Sequence, residues 1–314
     1  MSVICFGEAL VDFLSNGKNP ESFTKYAGGA PANVAVAIAK QGVKSSFCGM
    51  FGMDMFADFL LTELSAHGVN TQYCRRTDKA KTALAFISLD DKGERSFSFY
   101  RPPAADLLFR IDDFDPEIFV SHKIIHVCSN SLAEASIYKT TIYALNQAKK
   151  NGIVCSFDMN LRLDLWPSQR HLIERVWHVI ALSDIVKLSQ EELDFLHQSR
   201  HLEHGLDKTI AAILTANTQC LIVTDGAKPI RFFTNKNQGL VTPPQVTAID
   251  TTAAGDAFIG GFLSQLANQS NPLQAIGCEQ TLTAAISYAS RCGAYATTIK
   301  GAFSSLPCAG QIND

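Results

Sequence analysis

A chain of 314 residues with 46% hydrophobic content carries enough apolar material for one large α/β domain with an insertion, or for two smaller domains. Its net charge of −3 provides no electrostatic footprint for nucleic acid or for an anionic membrane surface. No run of about 18 apolar residues occurs, and the first residues lack the basic segment and long apolar stretch of a secretory leader. The nine cysteines are scattered singly, and Cys5, Cys48, Cys128, Cys155 and Cys220 fall in apolar, strand-like runs. They read as reduced thiols acting as small hydrophobes in a cytoplasmic protein, without a disulfide framework or a structural zinc site.

In chain order, residues 3–6 form a short apolar strand, with Asp12 just beyond it. Ligands of open α/β sheets bind past the carboxyl ends of strands, so Asp12 is placed to meet ligand hydroxyls; a turn or cap aspartate is the alternative. Residues 14–27 are polar and end in a strand-like alternation. Gly28 and Gly29 then let the backbone turn and approach a ligand closely. A helix over 34–39 ends at Gly42, and Asn33 near its start offers a donor and an acceptor to vicinal hydroxyls, or simply caps the helix. Asp54 predicts the N-cap of a helix over 55–67, stopped by Gly68. From 71 to 101 the period changes to two, with residues 90–93 (Asp-Asp-Lys-Gly) as a hairpin turn. Together with 14–27 this predicts a small antiparallel sheet protruding from the core, closed by Arg101, which by itself reads as a solvated hairpin-end arginine.

The remainder alternates strand and helix, which predicts a parallel sheet covered on both faces. Strands are expected at 124–128, 153–157, 185–188 and 219–224, with helices at 134–149 and 168–182. Polar residues cluster just past one strand end, at Asn160 and Arg162, and Lys187 stands at the end of the 185–188 strand. Asn160 and Arg162 thus stand where ligands of open α/β sheets bind, and Lys187 could face a phosphate. Ser189 and Glu192 form a capping box that by itself explains both residues. His197–His204 reads as a surface segment, and Trp166 and Trp177 as packing residues.

The stretch Asp250-Thr-Thr-Ala-Ala-Gly-Asp256 organises the rest. A small-residue turn leads into Phe258, Ile259, Phe262, Leu263 and Leu266, the apolar stripe of a helix. Unsatisfied N–H groups and the helix dipole make its start an anion site, where a carboxylate is out of place. Asp256 fits there as a base that deprotonates a hydroxyl while neighbouring amides hold the phosphoryl group under attack; an acidic first-turn residue favoured by the dipole is the plain alternative.

This stretch resembles the C-terminal signature of ribokinase-like (PfkB) carbohydrate kinases, and Gly28-Gly-Ala-Pro-Ala-Asn33 resembles their N-terminal signature. Order, separation and intervening landmarks match across essentially the whole chain. The resemblance implies a single domain of three-layer α/β/α type with a mostly parallel sheet. Its core would cover about 1–13, 28–70 and 102–314, and its β lid about 14–27 and 71–101. It implies ATP-dependent phosphorylation of a sugar primary hydroxyl, with Asp256 as base and amides of Ala253, Ala254, Gly255 and Asp256 as the anion hole. Sugar contacts fall on Asp12, Gly28, Gly29, Asn33, Arg101, Asn160 and Arg162. Nucleotide contacts fall on Lys187, Ser189, Thr224, Gly226, Ser290 and Gly293. The family also implies magnesium organised through water by Glu192, a potassium-type site at the backbone of Asp250 and Thr252, and a homodimer formed through the lid. The chain is most similar to fructokinase-like members, which implies D-fructose as substrate and fructose 6-phosphate as product. Ketodeoxygluconate kinases, ribokinases and aminoimidazole riboside kinases share most of these residues, and a silent sugar-binding paralogue stands as a further alternative. Three departures stand out: Ala253 and Pro229 replace glycines, and Ser189 replaces an asparagine. At a positive φ, Ala253 would carry a steric penalty.

Overall fold

The computed structural model describes residues 2–17, 20–89, 95–101, 103–166, 168–199 and 205–312. The hairpin turn expected at 90–93 and most of the histidine-rich segment, 200–204, lie outside the described residues.

The chain opens with β1 (Ser2–Phe6), β2 (Leu10–Ser15) and β3 (Phe23–Gly28), then α1 (Ala30–Lys40), β4 (Lys44–Gly52), α2 (Met55–Ala66) and β5 (Val69–Thr77). The strands β6 (Leu84–Leu89) and β7 (Arg95–Tyr100) follow, then α3 (Ile118–Ser121) and β8 (Ile124–Cys128). Next come α4 (Ala135–Lys150), β9 (Val154–Asp158), α5 (Gln169–Leu182), β10 (Ile185–Ser189), α6 (Gln190–Ser199) and α7 (Leu206–Thr215). The C-terminal part holds β11 (Cys220–Asp225), β12 (Lys228–Thr234), β13 (Gln238–Val241), α8 (Ala254–Ala267), α9 (Pro272–Ile276) and α10 (Glu279–Ala296).

Nine strands form the main sheet in the order β13-β12-β11-β10-β9-β8-β1-β4-β5. All neighbours are parallel except β11–β12 and β12–β13. Alternation along each buried strand divides the core in two. Val3, Cys5 and Ile222 pack with α1, α2, α8 and α10, whereas Ile4, Phe6 and Leu221 pack with α3 to α7. The helix ends follow their expected chemistry: Asp54 accepts from the N–H groups of Phe56 and Ala57, and Gly68 turns the chain at φ 80°. Trp166 and Trp177 are both core residues, and the nine cysteines are all unbridged.

A second sheet, β3-β2-β6-β7, lies beside the first. Its β2–β3 and β6–β7 pairs are antiparallel, and β2–β6 is parallel. Its boundaries differ from the expected ones. Residues 69–77 belong to the main sheet as its edge strand β5, whose outer face alternates with solvent and so imitates a lid strand. Conversely, Leu10–Phe13 and Gly28 pair within the small sheet, which carries Asp12 on a lid strand rather than on a loop of the core. No helix among the described residues is long and apolar enough to cross a membrane.

Candidate active site

The parallel strands β1, β8, β9 and β10 all end at one edge of the main sheet, beneath the small sheet. Between the two lies a cavity of about 300 Å³ whose lining includes Asp12, Asn33, Asp158, Lys187 and Asp256. The lid contributes apolar walls through Leu10, Ile87 and Phe99. A polar floor under an apolar roof suits a small polyhydroxylated ligand.

The two sequence signatures meet in this cavity. Asn33 Nδ2 donates to Asp256 Oδ2 at 2.7 Å across 223 residues of chain. Asn33 does not cap α1, whose N-cap is Gly29, so its side chain is committed to the site. Gly28 is required by space: a Cβ there would fall 2.2 Å from Asp12 Oδ2. Gly29 is required twice over, by its φ of 102° and by a Cβ position 2.8 Å from the carbonyl oxygen of Glu8.

Asp256 is buried in the first turn of α8. Burial raises its pKa, opposed by the Asn33 hydrogen bond and by the charges of Lys187 and Arg162. A carboxylate raised in this way is a stronger base than a solvated one. The residue before the helix, Ala253, sits at φ 59°, ψ 9°, the left-handed conformation. The penalty foreseen for this position is therefore present, on the order of 1–2 kcal/mol, and the turn forms regardless. Of the four amides expected in the anion hole, that of Ala254 donates to the Thr251 carbonyl at 3.3 Å. The N–H groups of Gly255 and Asp256 belong to the turn that a helix leaves without intrahelical acceptors.

Lys187, buried in the middle of β10, donates to both oxygens of Asp158, at 3.1 and 3.0 Å. Burial alone would lower its pKa, but Asp158, then Glu192 and Asp256, outweigh it and hold the ammonium charged. Asp158 is pushed upward by burial, against the pull of Lys187, with Glu192 and Asp256 adding to the rise. A single buried cation thus faces three carboxylates. Its Nζ would lie 3.0 Å from a Cβ on Gly255, so the glycine keeps this cation close to the start of α8.

A groove of about 680 Å³ leaves the cavity past Asn160, Arg162, Lys187, Ser189 and Glu192. Asn160 adopts φ 37°, a turn conformation asparagine tolerates, and Arg162 is exposed. Ser189 and Glu192 make the expected capping box: Ser189 N–H donates to Glu192 Oε2 at 2.7 Å, and Glu192 N–H to Ser189 Oγ at 3.1 Å. Glu192 Oε1 in addition accepts from Leu161 N–H at 2.7 Å, tying the β9 loop to α6.

A second cavity of about 280 Å³ is lined by Thr224, Gly226, Phe258, Ser290, Gly293 and apolar residues of the 243–248 segment. Thr251 lines this cavity, the groove and the first cavity, and Gly255 lines both cavities. The turn into α8 is therefore the junction of all three spaces. Ser290 Oγ donates to the Ser287 carbonyl at 2.7 Å. Asp250 braces the turn from behind, its carboxylate accepting from Thr252 N–H at 2.8 Å and Gly301 N–H at 3.1 Å.

Two expected ligand residues stand apart from the cavity lining. Arg101 is buried behind the wall, paired with Asp106 and donating to the Asn130 carbonyl at 3.2 Å. Gly28 makes room for Asp12 instead of lining the space itself. Sequence reading assigned no role to Glu8, Asn130 or Asp158, all buried in the cavity lining. Each stands at or just past the end of an apolar strand, the signal that singled out other residues.

The chain matches the family model described as pfkB family carbohydrate kinase over residues 1–309. It is 39% identical over 310 residues to a probable fructokinase-5 of Arabidopsis thaliana, covering 97% of this chain and 94% of that protein. A fructokinase from Xylella fastidiosa with bound ATP superposes with a TM-score of 0.95 at 42% identity, covering 99% and 96% of the two chains. A double-mutant fructokinase from Vibrio cholerae O395, in its fructose, ADP and potassium ion bound form, gives 0.89 at 35% identity, covering 100% and 98%. The chain belongs to the pfkB family of carbohydrate kinases.

Proposed function

We propose that this protein phosphorylates D-fructose on its 6-hydroxyl with ATP. The observation that carries the proposal is the junction at Thr251–Gly255, where the buried carboxylate of Asp256 stands between a polar cavity and a second, more apolar one. Likeness to fructokinases, including one holding fructose and ADP, supports the choice of sugar and nucleotide.

The sugar sits between Asp12, Gly29, Asn33 and the lid, with its primary hydroxyl at Asp256. The nucleotide lies against Thr224, Gly226, Phe258 and Gly293, and its phosphates run through the groove toward the start of α8. Asp256 takes the hydroxyl proton as the oxygen attacks the terminal phosphorus, the bond from that phosphorus to the bridging oxygen breaks, and ADP leaves. Amides at the helix start, together with Arg162 and Lys187, stabilise the negative charge on the phosphoryl oxygens. Asn33 holds Asp256 in register for that transfer. The lid excludes water that would otherwise compete as acceptor.

Glu192 fits a magnesium-organising role through water: each of its oxygens accepts one backbone N–H and retains a lone pair for the groove. Magnesium on the phosphates would supply charge neutralisation there. Asp250 fits the support of a potassium-type site, because its buried carboxylate accepts from the backbone N–H groups of Thr252 and Gly301 and so fixes the 250–252 backbone. The lid's outward face, with Phe23 and Tyr100 exposed, supports a homodimer through that sheet. Nine unbridged cysteines suit a reducing compartment such as the cytoplasm.

The test is ADP formation with magnesium and potassium across fructose, ribose, ketodeoxygluconate and aminoimidazole riboside. Fructose-dependent turnover well above the other sugars is expected. Preference for another sugar would move the substrate while keeping the chemistry. Sugar binding without turnover would leave a silent paralogue.

A further inference from the structure

Two hydrogen-bonded side chains on the cavity wall have no part in the transfer itself. Glu8 lies two residues past β1, and Asn130 two residues past β8, the neighbouring strand. They are 1% and 7% exposed, and both line the cavity under the lid. Asn130 Nδ2 donates to Glu8 Oε1 at 2.9 Å. Among the described residues, Asn130 Oδ1 and Glu8 Oε2 then have no partner.

Buried polar atoms without partners cost their full desolvation, so a hydrogen-bonded pair that leaves one oxygen on each member unused calls for a ligand. The chemistry of that ligand follows from the atoms. Glu8 fixes the Asn130 amide with its NH₂ toward the carboxyl, which leaves an acceptor and not a donor for the cavity. Burial raises the pKa of Glu8, while the Arg101 charge and the Asn130 bond oppose the rise. Neutral or ionised, its Oε2 remains able to bond a hydroxyl. Arg101 does not compete, because its guanidinium is turned onto Asp106 and the Asn130 carbonyl.

Sheet order sets where this pair lies relative to the reacting end. Lys187, beside Asp256, is on β10, and two strand spacings separate β10 from β8, three from β1. At about 4.8 Å per strand the Glu8–Asn130 pair is roughly 10 Å or more along the sheet from Lys187. A hexose with its 6-hydroxyl at Asp256 therefore turns its opposite end toward the pair.

We propose that Asn130, held by Glu8, is a specificity-determining residue whose Oδ1 accepts a hydroxyl at the C1–C2 end of the ketose, with Glu8 Oε2 bonding its neighbour. The proposal rests on the fructose kinase reading and adds which end of the sugar is recognised, and by what.

Steady-state kinetics on wild type, Asn130→Leu and Glu8→Gln with D-fructose, 1-deoxy-D-fructose and 2,5-anhydro-D-mannitol test it. The last two lack the C1 and the C2 hydroxyl respectively. Wild type is expected to show a KM about tenfold higher for at least one analogue than for fructose, the scale of one hydrogen bond. Asn130→Leu should raise the fructose KM about tenfold, hold kcat and the ATP KM within about threefold, and shrink discrimination against that analogue to within about twofold. Glu8→Gln preserves volume and the bond to Asn130, and should raise the fructose KM at least about threefold with kcat retained. It serves alone if the leucine variant does not fold. Discrimination in folded variants equal to wild type would overturn the proposal. So would a joint loss of kcat and ATP affinity, which marks a merely structural role. Wild type inert toward fructose would remove the underlying reading instead, a result visible before any variant is made.

Discussion

The two cavities that meet at the Thr251–Gly255 turn are built on opposite plans. The first gathers charges from distant elements: half-buried Asp12 on the lid, and buried Asp158 on β9, Lys187 on β10 and Asp256 on α8. The second is walled by backbone and by small or apolar side chains, among them Gly226, Pro243, Phe258, Gly293 and Ala294. On the proposed function, one side would carry the chemistry and depend on individual atoms, and the other would recognise a flat, largely apolar group by shape.

The contrast fails if substitutions on the two sides have similar consequences. The largest effect is expected from Lys187→Met, which strands the buried Asp158 carboxylate. Breaking such a pair costs about 3–5 kcal/mol, read as a lower urea midpoint, with turnover falling as well. Gly28→Ala comes next, since the new methyl overlaps the Asp12 carboxylate. Displacing that group by about 1 Å should reduce kcat/KM for fructose by roughly tenfold to a hundredfold while the ATP KM holds. On the nucleotide side, Ser290→Ala should change the ATP KM by less than about threefold, because the hydroxyl is already spent on the Ser287 carbonyl. A larger change would mean the hydroxyl turns to the nucleotide and the second cavity is more specific than drawn. Smallest of all is Ala253→Gly, where relief of the left-handed alanine is offset by a looser unfolded chain. Thermal unfolding should show a gain of no more than about 1 kcal/mol, with kcat nearly unchanged.

The same division marks what the sequence made legible. The α/β alternation, the capping aspartate at Asp54 and the turn into α8 are local patterns, and each formed where its residues predicted. The small sheet was visible as a change of period, but its edges were not. The edge strand β5 alternates like a lid strand, and Asp12 lies inside β2. Arg101 shows the limit most clearly. A lone arginine at the end of a hairpin has the same sequence appearance whether it meets a ligand or a buried aspartate, and only the tertiary fold brings Asp106 and the Asn130 carbonyl to it. Glu8, Asn130 and Asp158 were hidden for a related reason. Each is one polar residue at or past a strand end, and its partner stands on or past another strand, 29 to 122 residues away. By contrast, Asn33 and Asp256 stood in recognisable motifs, and the structure adds the 2.7 Å bond that joins them.

Asp256 as the base is the central claim, and Asp256→Asn with fructose turnover and fructose binding measured side by side tests it most directly. The amide preserves size and loses basicity, so kcat should fall by about 10²–10⁴ while the dissociation constant for fructose stays within a few-fold. In wild type the raised pKa of Asp256 places the acid limb of kcat/KM above the ordinary aspartate range. Activity should be full above that pKa and lost as pH falls through it, and the residual rate of the variant should lack this limb. A variant that keeps more than about a tenth of wild-type kcat, with the acid limb intact, would contradict the assignment and require a different proton acceptor.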